Sequence, residues 1–246
     1  MTIEQSMSLI HPRRHETQWH QHATGQLYWV RRGIIMVETD QAQHALTLGS
    51  VGWFPPTWRH RAWMPADSEC HSLHLDAQGS AGLPAYPCVR AADHFLLLLL
   101  DKVLLAHEQA PGDPYPAHLL AVMTDEIGRA GELPLQLPLP ADRRARQVAE
   151  LLLVQPDCAL NHEMLAQQSG LSSRTLSRLF SQQTGLSFSQ WRQQARLIHS
   201  LAHLLQGDAV ALVAGRCGYE NVSAFIAAFR SRFALTPGQF QARQMR

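Results

Sequence analysis

The chain has 246 residues, 46% hydrophobic and 17% charged, which suits two modest domains with packed cores. Its formal net charge of +1 hides an asymmetry: residues 1–140 carry nine Lys/Arg against fourteen Asp/Glu, and residues 141–246 carry twelve Arg against six Asp/Glu. Four scattered cysteines without a C-x-x-C pattern argue against a zinc knuckle or a disulfide framework, and the leucine-rich run Phe95–Leu100 is too short to span a bilayer.

The first residues, M-T-I-E-Q-S-M-S-L-I-H-P, lack the basic start and apolar core of a signal peptide. With the unpaired cysteines, this predicts a cytoplasmic protein without a membrane. From Gln26 to Leu75 the pattern is of short β-prone runs: Leu27–Val30, Ile34–Val37, Trp53–Phe54 and Ser72–Leu75, separated by turn residues. Many short strands joined by turns predict a sandwich or small barrel. Eleven of the fourteen histidines fall in this acidic half.

Two spacings sharpen the prediction. The first is His20-x-His22-x3-Gln26-x6-Gly33, and the second is Gly49-x5-Pro55-Pro56-Thr57-x2-His60-x3-Met64. Together they resemble the two motifs of the cupin family, with departures. Gln26 stands for the family's glutamate, Thr57 for a glycine and Met64 for an asparagine. The resemblance implies a jelly-roll barrel in which His20, His22 and His60 converge on a divalent metal. The loss of the carboxylate leaves a second reading open, in which these histidines hydrogen-bond in a pocket walled by Trp29, Trp53 and Trp58. Either way, a closed barrel with aromatic walls suits a small effector, held by His20, His22, Gln26, Trp29, Trp53 and His60. His71 and His74 either join that cavity or face solvent.

Gly79–Val89 reads as loop. Ala91 to about His107 predicts a helix that is apolar on nearly all sides, buried on two faces, and a candidate for packing against a second copy. Gly112-Asp113-Pro114 breaks it, and His118–Ala130 forms a weaker amphipathic helix. Gly131–Pro140 alternates proline with leucine and predicts an extended interdomain linker, because proline fits neither a helix nor a central strand.

In the basic half, Arg143–Val154 predicts a helix ended by Pro156. Within Glu163–Phe180, Gly170 supplies the positive φ that ends one helix and Ser172 caps the next. Leu176, Leu179 and Phe180 then recur at inward spacing, leaving Arg174, Ser177 and Arg178 outside. This is the layout of a helix-turn-helix. Val210–Arg232 repeats it with Gly218 at the turn. A helix from Phe188 to Leu205 joins the two units as a stiff rod, and Thr236-Pro237 opens a last short helix.

The stretches L-A-Q-Q-S-G-L-S-S-R-T-L-S-R-L-F and G-Y-E-N-V-S-A-F-I-A-A-F-R, followed by Thr236-Pro237 and Phe240, resemble the DNA-binding domain of the AraC family of bacterial transcription regulators. The resemblance implies DNA contacts from Ser173, Arg174, Thr175, Ser177 and Arg178 on the first unit. On the second it implies Asn221, Val222, Ser223, Ile226, Ala227 and Arg230. Arginine can bond guanine O6 and N7 together, whereas Val222, Ile226 and Ala227 can at best pack on thymine methyls. Arg216, Arg230 and Arg232 suit phosphates, so the first unit is expected to read sequence and the second to anchor.

The expected fold is therefore α+β in two domains: a cupin-like barrel at 1–78, a helical dimerisation segment and linker at 79–140, and an all-α domain with two helix-turn-helix units at 141–246. The expected function is sequence-specific regulation of transcription on double-stranded DNA, controlled by a small molecule in the first domain. A homodimer and contact with RNA polymerase are expected with it. The alternatives are a ligand-independent regulator whose cupin only dimerises and, third, a metal-dependent cupin enzyme. No catalytic residue is assigned, because no acid/base pair occurs at useful spacing.

Overall fold

A computed structural model describes residues 3–11, 13–109 and 114–244. The chain forms two compact units, Met1–Thr39 with His44–Gln136 and Asp40–Gln43 with Leu137–Arg246.

The first unit contains β1 (Ile3–His11), β2 (His15–Glu16), β3 (Gly25–Arg32), β4 (Ile34–Thr39), β5 (Ala42–Thr47), β6 (Ser50–Phe54), β7 (His60–Met64), β8 (Ser68–Leu75) and β9 (Cys88–Ala91), then helices α1 (His94–Gln109) and α2 (Tyr115–Arg129). With β10 (Gln136–Pro138), the strands build two five-stranded sheets, ordered β1-β8-β3-β6-β9 and β10-β5-β4-β7-β2. The β3·β8 and β4·β7 pairings are antiparallel.

Strand alternation sorts the side chains. Leu27, Trp29, Trp53, Leu73 and Leu75 point to one face of the first sheet. There they meet Leu96, Leu99, Leu100 and Val103 of α1 and Leu120, Met123 and Ile127 of α2 in one apolar cluster. Trp29 donates its indole N–H to Asp101 on α1 (3.2 Å), and Trp53 donates to the Pro84 carbonyl (2.7 Å). Gly25 is required beneath Trp53: a Cβ there would sit 2.0 Å from Cη2 of the indole. Gln26, Tyr28 and His74 turn the other way, toward Ile35, Ala62 and Met64 of the second sheet, and line a cavity.

Several expectations need correction. β1 lies upstream of the predicted strands, pairing with β8 from Ile3 to His11, although its sequence mixes polar and apolar residues without clean alternation. Residues 88–91 are a strand on β6, and Asp93 Oδ1 accepts from Leu96 N (2.8 Å) at the start of α1. Within the single chain that helix buries one face, and Phe95 and Leu98 on the other are each 54% exposed, so the face assigned to a second copy is open. The Gly112-Asp113 part of the predicted break lies outside the described residues. In the 131–140 stretch Leu135, Leu137 and Leu139 are buried, and β10 ends its sheet, a position that tolerates proline.

The second unit is helical: α3 (Arg143–Val154), α4 (His162–Gln168), α5 (Ser173–Thr184), α6 (Phe188–Leu205), α7 (Val210–Arg216), α8 (Val222–Phe233) and α9 (Pro237–Gln244). Asp142 caps α3 by accepting from the Arg144 and Ala145 amides. Ser187 and Gln190 form a reciprocal capping box at the start of α6. At 1.5 Å per residue α6 is about 27 Å long. Trp191 on α6 is fully buried, stacks edge-on to Phe180 at 5.1 Å and donates its N–H to the Pro138 carbonyl at 2.6 Å. Phe229 holds the far end together, meeting Phe225, Phe233 and Phe240.

Candidate functional site

In the first helix-turn-helix, Asn161 caps α4 by accepting from Met164 N (2.9 Å), Gly170 turns at φ +67°, and Ser172 caps α5 by accepting from Thr175 N (3.1 Å). Each cap is worth about 1 kcal/mol. Leu176, Leu179 and Phe180 are buried, which fixes the rotation of α5 and leaves Arg174 and Arg178 exposed. Arg178 donates to Gln182 Oε1 one turn on, at 2.9 Å. Ser173, Thr175 and Ser177 are half-buried. The Ser177 hydroxyl lies 3.3 Å from His162 Nε2, tying α5 to α4, and the Thr175 hydroxyl lies 2.9 Å from that of Ser172.

The second unit follows the same plan with different chemistry. Asn221 caps α8, accepting from Ala224 N at 2.7 Å, so its carbonyl oxygen already serves the helix. Phe225 and Phe229 are buried, Ser223, Ala227 and Arg230 are exposed, and Val222 and Ile226 are half-buried. Of the three nearby arginines, Arg216 is paired with Asp208 at 2.6 Å and Arg232 is half-buried with its guanidinium 5.7 Å from the Phe233 ring centroid. Arg230 projects into solvent.

The histidine cavity lies in the first unit. It measures about 260 Å³ and is lined by Gln5, Met7 and Leu9 of β1, by His15, Thr17, His20 and His22, by Gln26 and Tyr28 of β3, by Ile35, Ala62 and Met64, and by His74 of β8. His20 and His60 exchange backbone N–H···O bonds of 2.9 and 2.8 Å, which brings their rings to 4.5 Å. His22 joins them at 4.9 and 5.4 Å, and His74 lies 4.7 Å from His22. One ring nitrogen from each of His20, His22 and His60 falls within 4.8 Å of the others.

The tautomers follow from the partners. His20 Nδ1 lies 2.7 Å from the Gln18 carbonyl and His60 Nδ1 lies 2.8 Å from the Trp58 carbonyl. A carbonyl only accepts, so both Nδ1 atoms carry a proton, and in the neutral form of either ring Nε2 is the nitrogen with the bare lone pair. Burial pushes His60 down to about 4, helped by the neighbouring His20, His22 and His74 against the opposing pull of its Trp58 bond; burial likewise takes His74 to about 4 and lowers His22. All three are neutral near pH 7. Nε2 of His22 and of His60 are buried without a hydrogen-bond partner among the described residues. Neutral imidazoles, oriented through Nδ1–H to a carbonyl and holding unused Nε2 lone pairs, are what a divalent transition metal needs. The residues fit such an ion.

Trp29 and Trp53 do not line this cavity. They alternate with Gln26, Tyr28 and Phe54 and therefore face the helices. His71 does the same, packing on Trp29 at 5.3 Å. His74 is the site residue that the sequence left undecided. Its signal was available: Leu73 and Leu75 had to face a core, which sends His74 to the opposite side.

Residues 165–243 match the helix-turn-helix domain family. The chain is 30% identical over 227 residues to the HTH-type transcriptional regulator NimR of Escherichia coli, covering 91% of this chain and 82% of that protein. It is 37% identical over 108 residues to the HTH-type transcriptional regulator RipA of Corynebacterium glutamicum, covering 44% of this chain and 33% of that one. Among solved structures, the DNA-binding domain of the global transcriptional factor AdpA, in complex with a target DNA, is 29% identical over 41% of this chain and 91% of that chain, with a TM-score of 0.39. Two arginine-bearing helix-turn-helix units and a relative aligned along nearly the whole length lead to one conclusion: the chain belongs to the AraC-type family of HTH-type transcriptional regulators.

Proposed function

We propose that this regulator binds a specific operator chiefly through α5 and that a small molecule in the histidine cavity controls it. The observation that carries the first part is the chemical contrast between the two recognition helices. α5 exposes Arg174 and Arg178, whereas α8 exposes Ser223 and Ala227 and has Arg230 only farther along. Arginine distinguishes bases and phosphate contacts do not. The second part rests on a cavity of about 260 Å³ lined both by histidines and by Met7, Leu9, Ile35 and Met64. Such a lining suits an amphiphilic molecule. His20, His22 and His60 would hold a divalent metal there, which when bound supplies a Lewis-acidic anchor for a donor atom of that molecule.

The protein acts in the cytoplasm as a homodimer, senses rather than catalyses, and works with RNA polymerase at promoters. The exposed Phe95, Leu98 and Leu105 of α1 favour self-association, and they also sustain the second reading, in which the first unit only dimerises. Selection of bound sites from random DNA by the purified protein tests the operator and its half-site spacing together. Thermal melts against a panel of metals and metabolites test control by a ligand. Retained DNA binding with no stabilisation by any of them would leave dimerisation as the role of the first unit.

A further inference from the structure

Gln26 stands where the cupin motif has a glutamate, and it lies directly opposite His74 in the β3·β8 register. Its amide Nε2 is 3.0 Å from His74 Nε2. An amide nitrogen only donates, so His74 Nε2 accepts and the imidazole proton sits on Nδ1, directed at the Thr24 hydroxyl 3.1 Å away. With its NH2 committed to His74, Gln26 has its carbonyl Oε1 left over. That oxygen is buried without a partner among the described residues, as are Nε2 of His22 and Nε2 of His60. Gln26 itself is 4% exposed and His74 5%. Gln26 and His22 line the cavity with His20, and the His60 ring packs on His20 at 4.5 Å, so these unpaired polar atoms gather at a place suited to a cation.

The cavity lining contains no Asp, Glu, Lys or Arg. A divalent ion held by neutral imidazoles and a neutral amide would keep its full charge in a buried place. Such a charge is costly without a counter-charge. The same cavity offers Met7, Leu9, Ile35 and Met64 as an apolar wall.

Building on the control by a ligand proposed above, we propose that the cavity is a metal-centred anion receptor. The Nε2 atoms of His20, His22 and His60 and the Gln26 carbonyl hold a divalent transition metal. His74 is a positioning residue that turns the Gln26 carbonyl toward it. The ligand is a small organic anion with an apolar body, and its charged end balances the metal. Gln26 is then the choice that makes this a receptor, because a glutamate would cancel part of the charge that attracts the anion.

The test uses the full-length protein, Co2+ as the metal and hexanoate as the anion. Wild type is expected to bind one Co2+ with visible d–d absorption, and hexanoate is expected to shift those bands. His74→Leu should weaken Co2+ binding by about 10- to 100-fold, as losses of orienting partners do, and His74→Gln, which can still accept from the amide, should restore most of it. Gln26→Glu should tighten Co2+ and weaken hexanoate by about tenfold or more. Melting curves of the metal-free variants check folding; if His74→Leu does not fold, Gln26→Glu and His74→Gln carry the test. The proposal is overturned if wild type takes up no stoichiometric Co2+ or Zn2+. It is also overturned if the His74 and Gln26 variants bind both partners as wild type does. Hexanoate stabilising the metal-free protein as well as the loaded one would overturn it too, while leaving control by a small molecule standing. Intact DNA binding in each case separates these failures from a failure of the regulator itself.

Discussion

Replacing Arg178 by alanine should relax base preference at one operator position. The side chain is exposed on α5, and its hydrogen-bond partner among the described residues is Gln182 one turn on, an exposed pair worth about 0.2–0.5 kcal/mol. A guanidinium that exchanges this bond for both O6 and N7 of guanine gains about 1–3 kcal/mol of discrimination. Removing it should therefore cut the preference for that base by about 5- to 150-fold, since each 1.4 kcal/mol is tenfold. Ile226 on α8 is half-buried and carries no polar group, so Ile226→Ala should change discrimination by less than about 1 kcal/mol at any position. Anisotropy of a labelled duplex carrying the selected site, and of its single-base variants, measures both at two salt concentrations. A phosphate-binding arginine would behave differently: affinity would fall evenly across all variants, and the salt slope would lose about 0.9. That pattern for Arg178→Ala, or equal relaxation by Ile226→Ala, would refute the division of labour between the units.

Three further outcomes are expected. Gly25→Ala should destabilise the first unit by about 1–3 kcal/mol in chemical denaturation, because the added methyl group meets the buried Trp53 indole; unchanged stability would mean that Trp53 can shift freely. His44 is 1% exposed against Phe54, and burial pushes it down to about 4 from 6.5. Between those values the unfolded chain takes up a proton that the folded chain refuses. Stability is therefore flat above pH 6.5 and falls below it, by about 2 kcal/mol at pH 5 from this residue. His44→Phe should accordingly lose less stability than wild type between pH 7 and pH 5, and equal losses would contradict the assignment. Asn221→Ala removes the α8 cap and should lower stability by about 1 kcal/mol in thermal melts. Its affinity for DNA should fall alike for every base variant, so selective loss at one base would instead mark Asn221 as a reading residue.

Much of the second unit is legible in the amino-acid sequence. Its elements are helices with strong 3.6-residue periodicity, closed by Gly170, Ser172, Ser187 and Gly218, and all of that information lies within a turn or two of each residue. Local patterns fix local structure, so the boundaries of α3 and α6 and the outward direction of Arg174 and Arg178 could be read directly. The paired histidine spacings likewise drew His20 and His22 together with His60, which lies 38 residues beyond His22.

What only the tertiary structure decided is which face of each strand meets which neighbour. Trp29 and Trp53 looked like walls of a ligand cavity, and they fill the core beneath α1 and α2. A period-two pattern says that neighbours oppose one another but not which side is the inside, and in a two-sheet fold both sides are covered. The pairing of Gln26 with His74 depends on the β3·β8 register, across forty-eight residues of chain, and no local signal encodes it. The same holds for β1, whose mixed sequence becomes a strand because β8 offers it an edge, and for the half-open face of α1. The sequence determined which residues could do chemistry with DNA and with a metal. Long-range pairing decided which of them share a cavity, because hydrogen-bond register and burial are properties of two distant segments at once.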